Sequence, residues 1–99
     1  MKDAIKVQAI ILAVSDYTGI APEKILSDTR KENIVRARHI AMWICRYYTK
    51  ASLQSIASCF NCKRHATVIH AAKQTENMFF TEKNLKEDLK SIIANINSL

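Results

Sequence analysis

A chain of 99 residues with one glycine and one proline has almost none of the residues that reverse a backbone tightly. A sheet would need such residues at each hairpin, so the sequence points to helices joined by short polar turns. The length allows one domain, and a hydrophobic fraction of 48% suffices for one modest core.

Apolar spacing then divides the chain. Ala4 to Tyr17 places Ile5, Ala9, Leu12 and Ala13 on one face, with Val7, Ile10, Ile11 and Val14 widening it, which predicts a helix with a broad buried side. Gly19 is the expected stop, where a positive φ is often needed. Ala21-Pro22-Glu23 opens a short helix: proline suits the first turn, and glutamate suits the positive end of the dipole. Ile25 and Leu26 would anchor it. The polar link SDTRKE, Ser27 to Glu32, follows, and Asn33 is the expected cap of a long helix reaching about Tyr48. Its buried face would be Ile34, Ala37, Ala41, Ile44 and Tyr48, and a second stripe carries Arg36, His39, Trp43, Arg46 and Lys50. Trp43 is expected to lie partly buried between helices.

Ser52 is a good cap for a helix from Leu53 to Cys59, with Leu53, Ile56, Ala57 and Phe60 facing inward. Asn61 and Cys62 make the turn. The next helix is expected from about Arg64 to Asn77, with Val68, Ala71, Ala72 and Thr75 inward and Thr67, His70, Lys73 or Gln74, and Asn77 outward. A last helix is expected from near Asn84, where Asn84 and Glu87 have capping-box spacing, with Leu85, Leu89, Ile92, Ile93 and Ile96 inside. The fold class is therefore all-α, a single domain spanning residues 1–99 with five to six helices.

The net charge of +6 is unevenly placed. Residues 30–73 hold nine basic side chains and one acid, Glu32, whereas the flanks together hold six basic and eight acidic ones. A charge serving only solubility would be spread out; a concentrated block suits a polyanion. The longest apolar run, VQAIILAV, ends at Ser15 and Asp16, too short to span a bilayer, and its lead-in lacks the layout of a secretory signal. A cytoplasmic location, with no membrane partner, is the expectation. Cys45, Cys59 and Cys62 are an odd number and read as free thiols in a reducing compartment.

The stretch SLQSIASCFNCKRHATVIHAAK, Ser52 to Lys73, has the form of a helix, a polar turn and a second helix with basic and hydrogen-bonding residues at its start. That is how a helix-turn-helix addresses a DNA groove. The stretch resembles the signature of the DNA-binding C-terminal domain of the bacterial replication initiator DnaA, roughly S-L-x-x-I-G-x-x-F-G-x-R-D-H-T-T-V-I/L-H-A. Ser52, Leu53, Ile56, Phe60, His65, Thr67, Val68, Ile69, His70 and Ala71 match it. The likeness continues upstream through IVRARHIAMWICRYYT and through Tyr17 to Ser27, nearly the whole chain.

The resemblance implies a Trp repressor-like, DnaA domain IV-like fold and sequence-specific binding of double-stranded DNA in replication initiation at an origin, or in its regulation. It puts Arg30 in the minor groove, where a narrow AT-rich groove concentrates negative potential. It puts Arg38, His39 and Arg46 at the backbone or nearby bases, Lys63 at the turn, and His65, Ala66, Thr67 and His70 at base-reading or phosphate-contacting positions. Arg36, Arg38, Arg46, Lys50 and Lys73 are then expected to neutralise phosphates, with Arg64 adding charge at the helix start.

Several departures from the family pattern matter. Ala57 and Asn61 replace glycines, and Asn61 still tolerates a left-handed turn. Arg64 replaces an aspartate, so a carboxylate at the helix start is lost and positive charge gained. Ala66 replaces a threonine, keeping a methyl for thymine without the hydroxyl. Sequence preference is expected to differ from the family's usual box, at about 1–3 kcal/mol per lost base contact. The chain has no G-x-x-x-x-G-K-[ST] loop, so no nucleotide cofactor is expected. Met1 running directly into helical sequence leans towards a free-standing relative over an excised domain.

Other readings have weaker support. Cys59, Cys62, His65 and His70 are zinc-ligand types, but zinc sites usually separate their pairs by a dozen or more residues. The two histidines would also diverge by about 140° around a helix. No metal or other cofactor is expected. No nucleophile has an oriented base and third group, and the carboxylates lie mainly in the flanks, so an enzyme is not expected. Competing with an initiator for its boxes, or repressing a promoter, would use the same DNA surface. A helical adaptor, docking a protein through Leu85 to Leu99 or Met78 to Phe80, is the alternative of another class.

Overall fold

The computed structural model describes residues 2–97, with side-chain environments for residues 6–96. The helices are α1 (Lys2–Thr18), α2 (Pro22–Ile25), α3 (Glu32–Tyr48), α4 (Leu53–Cys59), α5 (His65–Thr81) and α6 (Lys83–Asn97), and no strand occurs among the described residues. The Cα radius of gyration is 12.2 Å, close to the value of about 13 Å for one domain of 100 residues.

Helix α3 is the axis of the domain. It packs most extensively on α5 and α1, and also touches α2 and α4. That enclosure explains why Ile40, Met42 and Cys45 are buried beside the expected Ile34, Ala37, Ala41 and Ile44. The far end of the expected face is corrected: Tyr48, the last residue of α3, is 50% exposed, its ring lying 6.0 Å from that of Trp43. In α1 the inner face is Val7, Ile10, Ile11 and Val14, whereas Leu12 is 59% exposed. Ile5 and Leu99 lie outside the described side chains. Helix α6 closes the core with Leu85, Leu89, Ile92 and Ile93, and Ile96 packs at its edge. Phe60, Ile56, Val68 and Ala71 bring α4 and α5 into the same cluster.

The chain's stops and starts follow local chemistry. Gly19 has φ +75°, and its N–H donates to Ser15 O at 2.8 Å, ending α1. Pro22 sits in the first turn of α2. Two caps are corrected. Lys31, not Asn33, precedes α3, with extended backbone (φ −59°, ψ 132°) and no side-chain cap. Helix α6 begins at Lys83, and the Leu85 N–H already donates to Glu82 O at 3.1 Å, so Asn84 lies inside the first turn. Helix α5 runs past Asn77 to Thr81, because Met78 and Phe79 still have core to pack against.

Polar contacts pin the side where α1, α3 and α6 meet. The Tyr17 hydroxyl donates to Asp88 Oδ2 at 2.6 Å, and Arg36 pairs with Glu82 at 2.5 Å. Burial, followed by the Asp88 carboxylate, pushes the Tyr17 hydroxyl up to about 12, so it stays a donor at neutral pH.

Candidate nucleic-acid interface

Helix α4, the turn and α5 form the expected helix-turn-helix. The Ser52 hydroxyl accepts from the Ser55 N–H at 3.1 Å and starts α4. The end of α4 is a Schellman motif: the Cys62 N–H donates to Ala57 O at 2.8 Å and the Asn61 N–H to Ser58 O at 3.1 Å. The motif requires a left-handed residue after the helix, and Asn61 supplies it with φ 59°. Asparagine pays less for this conformation than most residues. The turn then leads into α5, which packs on α4, and Phe60 stays buried.

The first turn of α5 is strongly electropositive. Its cap, Arg64, makes no side-chain cap bond, and the turn holds no acid. The Thr67 N–H donates to Arg64 O at 3.1 Å, and the N–H groups ahead of it, with the helix dipole, favour an anion there. Lys63, Arg64, His65, Ala66 and Thr67 are all exposed at this end, and His70, Lys73, Gln74 and Asn77 continue the exposed side. Val68, Ala71, Ala72 and Thr75 hold the opposite side in the core, and the Thr75 hydroxyl donates back to Ala71 O at 3.0 Å. Ile69, 40% exposed, is an apolar member of the outer surface that side-chain type alone did not single out.

Beside this helix start lies an open cleft of about 260 Å³ between the α2–α3 loop, α3 and the turn. Arg30, Arg38, His39, Asn61 and Thr67 line it, over an apolar floor that includes Met42 and Phe60. The structure thus brings Arg30, distant in sequence, to the same side as Thr67. Across the α3–α5 contact the His39 and His70 rings meet edge to face with centroids 6.1 Å apart. Burial, then His70, then Arg38 lower the His39 pKa, which favours its neutral form.

The expected cationic residues separate into two sets. Arg30, Lys50, Lys63, Arg64 and Lys73 are exposed. Arg46 is half-buried, its guanidinium 5.6 Å from the centre of the Tyr47 ring. Arg36 and Arg38, expected at phosphates, are engaged within the protein. Arg36 pairs with Glu82, just past the C-terminal end of α5, about 25 Å from His65 by the rise per residue. Arg38 Nε donates to Ile25 O at 2.8 Å and Nη2 to Thr29 O at 3.2 Å. The reason is shared: both lie on the strongly packed helix, next to acceptors that the sequence alone does not place there.

Trp43, on the expected stripe, lies among aromatic rings. Phe79 meets it edge on at 5.2 Å, and Tyr47 and Tyr48 lie tilted at 5.5 and 6.0 Å. It is packed against the core as expected, and its Nε1 is buried without a hydrogen-bond partner. The cysteines are free; burial pushes the Cys45 thiol up to about 12 and raises that of Cys62. Among the described residues no three of His, Cys, Asp and Glu are grouped to hold a metal ion. No described helix is long and apolar enough to cross a membrane.

Residues 7–74 match the family described as the bacterial dnaA protein helix-turn-helix. The chromosomal replication initiator protein DnaA of Flavobacterium psychrophilum is 39% identical over 92 residues, covering 93% of this chain and 19% of that protein. The same-named protein of Aquifex aeolicus is 43% identical over 89 residues, covering 90% of this chain and 21% of its own length. That of Dechloromonas aromatica is 36% identical over 80 residues, or 81% of this chain and 17% of its length. A crystal structure described as a DNA replication initiation factor superposes with a TM-score of 0.84 at 35% identity, over 96% of this chain and 29% of that one. The chain thus spans about a fifth of the length of the curated relatives it matches.

Proposed function

The chain belongs to the bacterial DnaA helix-turn-helix family, and on that premise we propose that it binds double-stranded DNA at preferred sequences, with α5 in the major groove and Arg30 in the adjacent minor groove. The observation that carries this reading is the first turn of α5: no cap bond, no acid, and Lys63 to Thr67 all exposed. A phosphate or base acceptor completes those donors. His65, Thr67 and His70 read base edges or their flanking phosphates, and Ala66 offers a methyl to thymine. Arg46, Lys50, Lys63, Arg64 and Lys73 neutralise backbone phosphates.

This role needs no catalysis and no bound nucleotide, and it places the chain at the nucleoid in the cytoplasm. The relatives' name, chromosomal replication initiator, supports a part in initiation at origin sites or in its control, including competition for the same boxes or transcriptional control. The adaptor alternative has less to stand on. Leu85, Leu89, Ile92 and Ile93 of α6 are spent on the domain's own core, and of Met78, Phe79 and Phe80 only Phe80 is fully exposed.

Selection of bound duplexes from a random pool, repeated at two salt concentrations, tests the proposal. An enriched motif, recovered at both and weakened by added salt, supports it. Recovery of unenriched DNA, or of none, contradicts it.

A further inference from the structure

The α2–α3 loop has an unusual set of partners. Helix α2 is one turn long, too short to hold itself, and the Ile25 and Leu26 carbonyls at its end receive no backbone N–H. Side chains from two other elements take them. Arg38 of α3 donates to Ile25 O and, across the loop, to Thr29 O. Asn61, the left-handed residue of the helix-turn-helix turn, donates through Nδ2 to Leu26 O at 3.2 Å. Within the loop the Ser27 hydroxyl donates to Lys24 O at 2.6 Å, and the Thr29 N–H donates to Ser27 Oγ at 3.4 Å. Thr29 Oγ1 in turn accepts from the Lys31 N–H at 3.4 Å, so Arg30 lies between two held residues, Thr29 and Lys31.

We propose that Arg38 and Asn61 are positioning residues that fix the Arg30 loop against the turn preceding α5, so that the two DNA-reading elements meet the duplex at a set spacing. The inference rests on the DNA-binding reading above. A planar guanidinium spans two carbonyls in one geometry, which an ammonium cannot reproduce. Asn61 does two tasks with one residue: its backbone turns the chain, and its amide reaches 35 positions back to Leu26. Arg38 thus serves DNA binding through the loop, and its charge at a phosphate is secondary.

Two variants isolate this role. Arg38→Lys keeps the charge and loses the fork; Asn61→Gly keeps the left-handed backbone and loses the amide. Thermal melts verify that both fold. Without DNA, limited trypsin cleavage after Arg30 or Lys31 should accelerate about tenfold in each, while amide exchange in α5 is unchanged. With a selected duplex, Arg30→Ala should weaken binding by about tenfold in the parent background and by less than about threefold in either tether variant, because an unheld Arg30 contributes little. The salt dependence should match the parent in Arg38→Lys. Unchanged cleavage together with an unchanged Arg30 penalty overturns the inference. So does full binding by Arg38→Lys combined with a salt slope about one unit shallower in Arg38→Ala, the signature of a phosphate contact. If the parent chain binds no duplex, the DNA reading falls and takes the purpose of the tether with it. The cleavage rates still decide whether the tether exists.

Discussion

His39 on α3 and His70 on α5 stand edge to face, their ring centroids 6.1 Å apart, where the cleft wall meets the outer side of the second helix of the motif. Burial, His70 and Arg38 all disfavour the His39 cation, so its folded pKa lies below its unfolded one. A depressed histidine contributes stability above the unfolded pKa of about 6.5 and loses it as pH falls towards the folded value. The melting temperature of the free protein should therefore drop between about pH 7.5 and about pH 5.5, and His39→Gln should flatten that drop. Thermal melts across the range check it; a His39→Gln profile parallel to the parent contradicts it.

Trp43 buries an indole N–H that has no partner, at a cost of about 1–3 kcal/mol. Phenylalanine removes that donor while retaining a ring against Phe79. Trp43→Phe should change stability by less than about 1 kcal/mol, whereas Trp43→Ala should cost about 3–5 kcal/mol. Urea unfolding of the two variants measures both.

How much of this was legible in the sequence depended on how local the cause was. Gly19, Ser52 and Asn61 were readable because each does its work within a few residues, by a positive φ or a cap bond. The inward residues of α4, α5 and α6 were readable from spacing. Tyr48 and Leu12 were misplaced because an apolar residue at the right spacing still needs a neighbour to cover it. Residue preference points to Asn33 and Asn84 as caps, but the chain enters α3 through Lys31 and α6 through Glu82. In the candidate site, charge placed the basic residues in one block without giving their directions. Arg36 and Arg38 find acceptors 46 and 13 positions away, Glu82 and Ile25, which no local pattern contains.

The Arg36–Glu82 pair is about two-fifths exposed at both partners, so solvent screens it. Arg36→Ala should lower stability by about 1 kcal/mol at most and leave the salt slope of DNA binding unchanged. A slope shallower by about one unit would put Arg36 on a phosphate instead.

His65, Thr67 and Lys73 share the exposed side of α5 but differ in chemistry. Alanine at His65 or Thr67 should cost about 1–3 kcal/mol on the selected duplex and much less on a scrambled one. Alanine at Lys73 should weaken both alike and make the slope shallower by about 0.9. Equilibrium titrations on the two duplexes distinguish these outcomes.

In the proposed function, cations from the end of α3, the turn and α5 together face a DNA backbone. Binding of the parent chain to one selected duplex, titrated over a range of salt concentrations, tests it most directly. With Arg46, Lys50, Lys63, Arg64 and Lys73 at phosphates, log K should fall against log salt with a slope of about −4.5. A slope near zero would contradict the account.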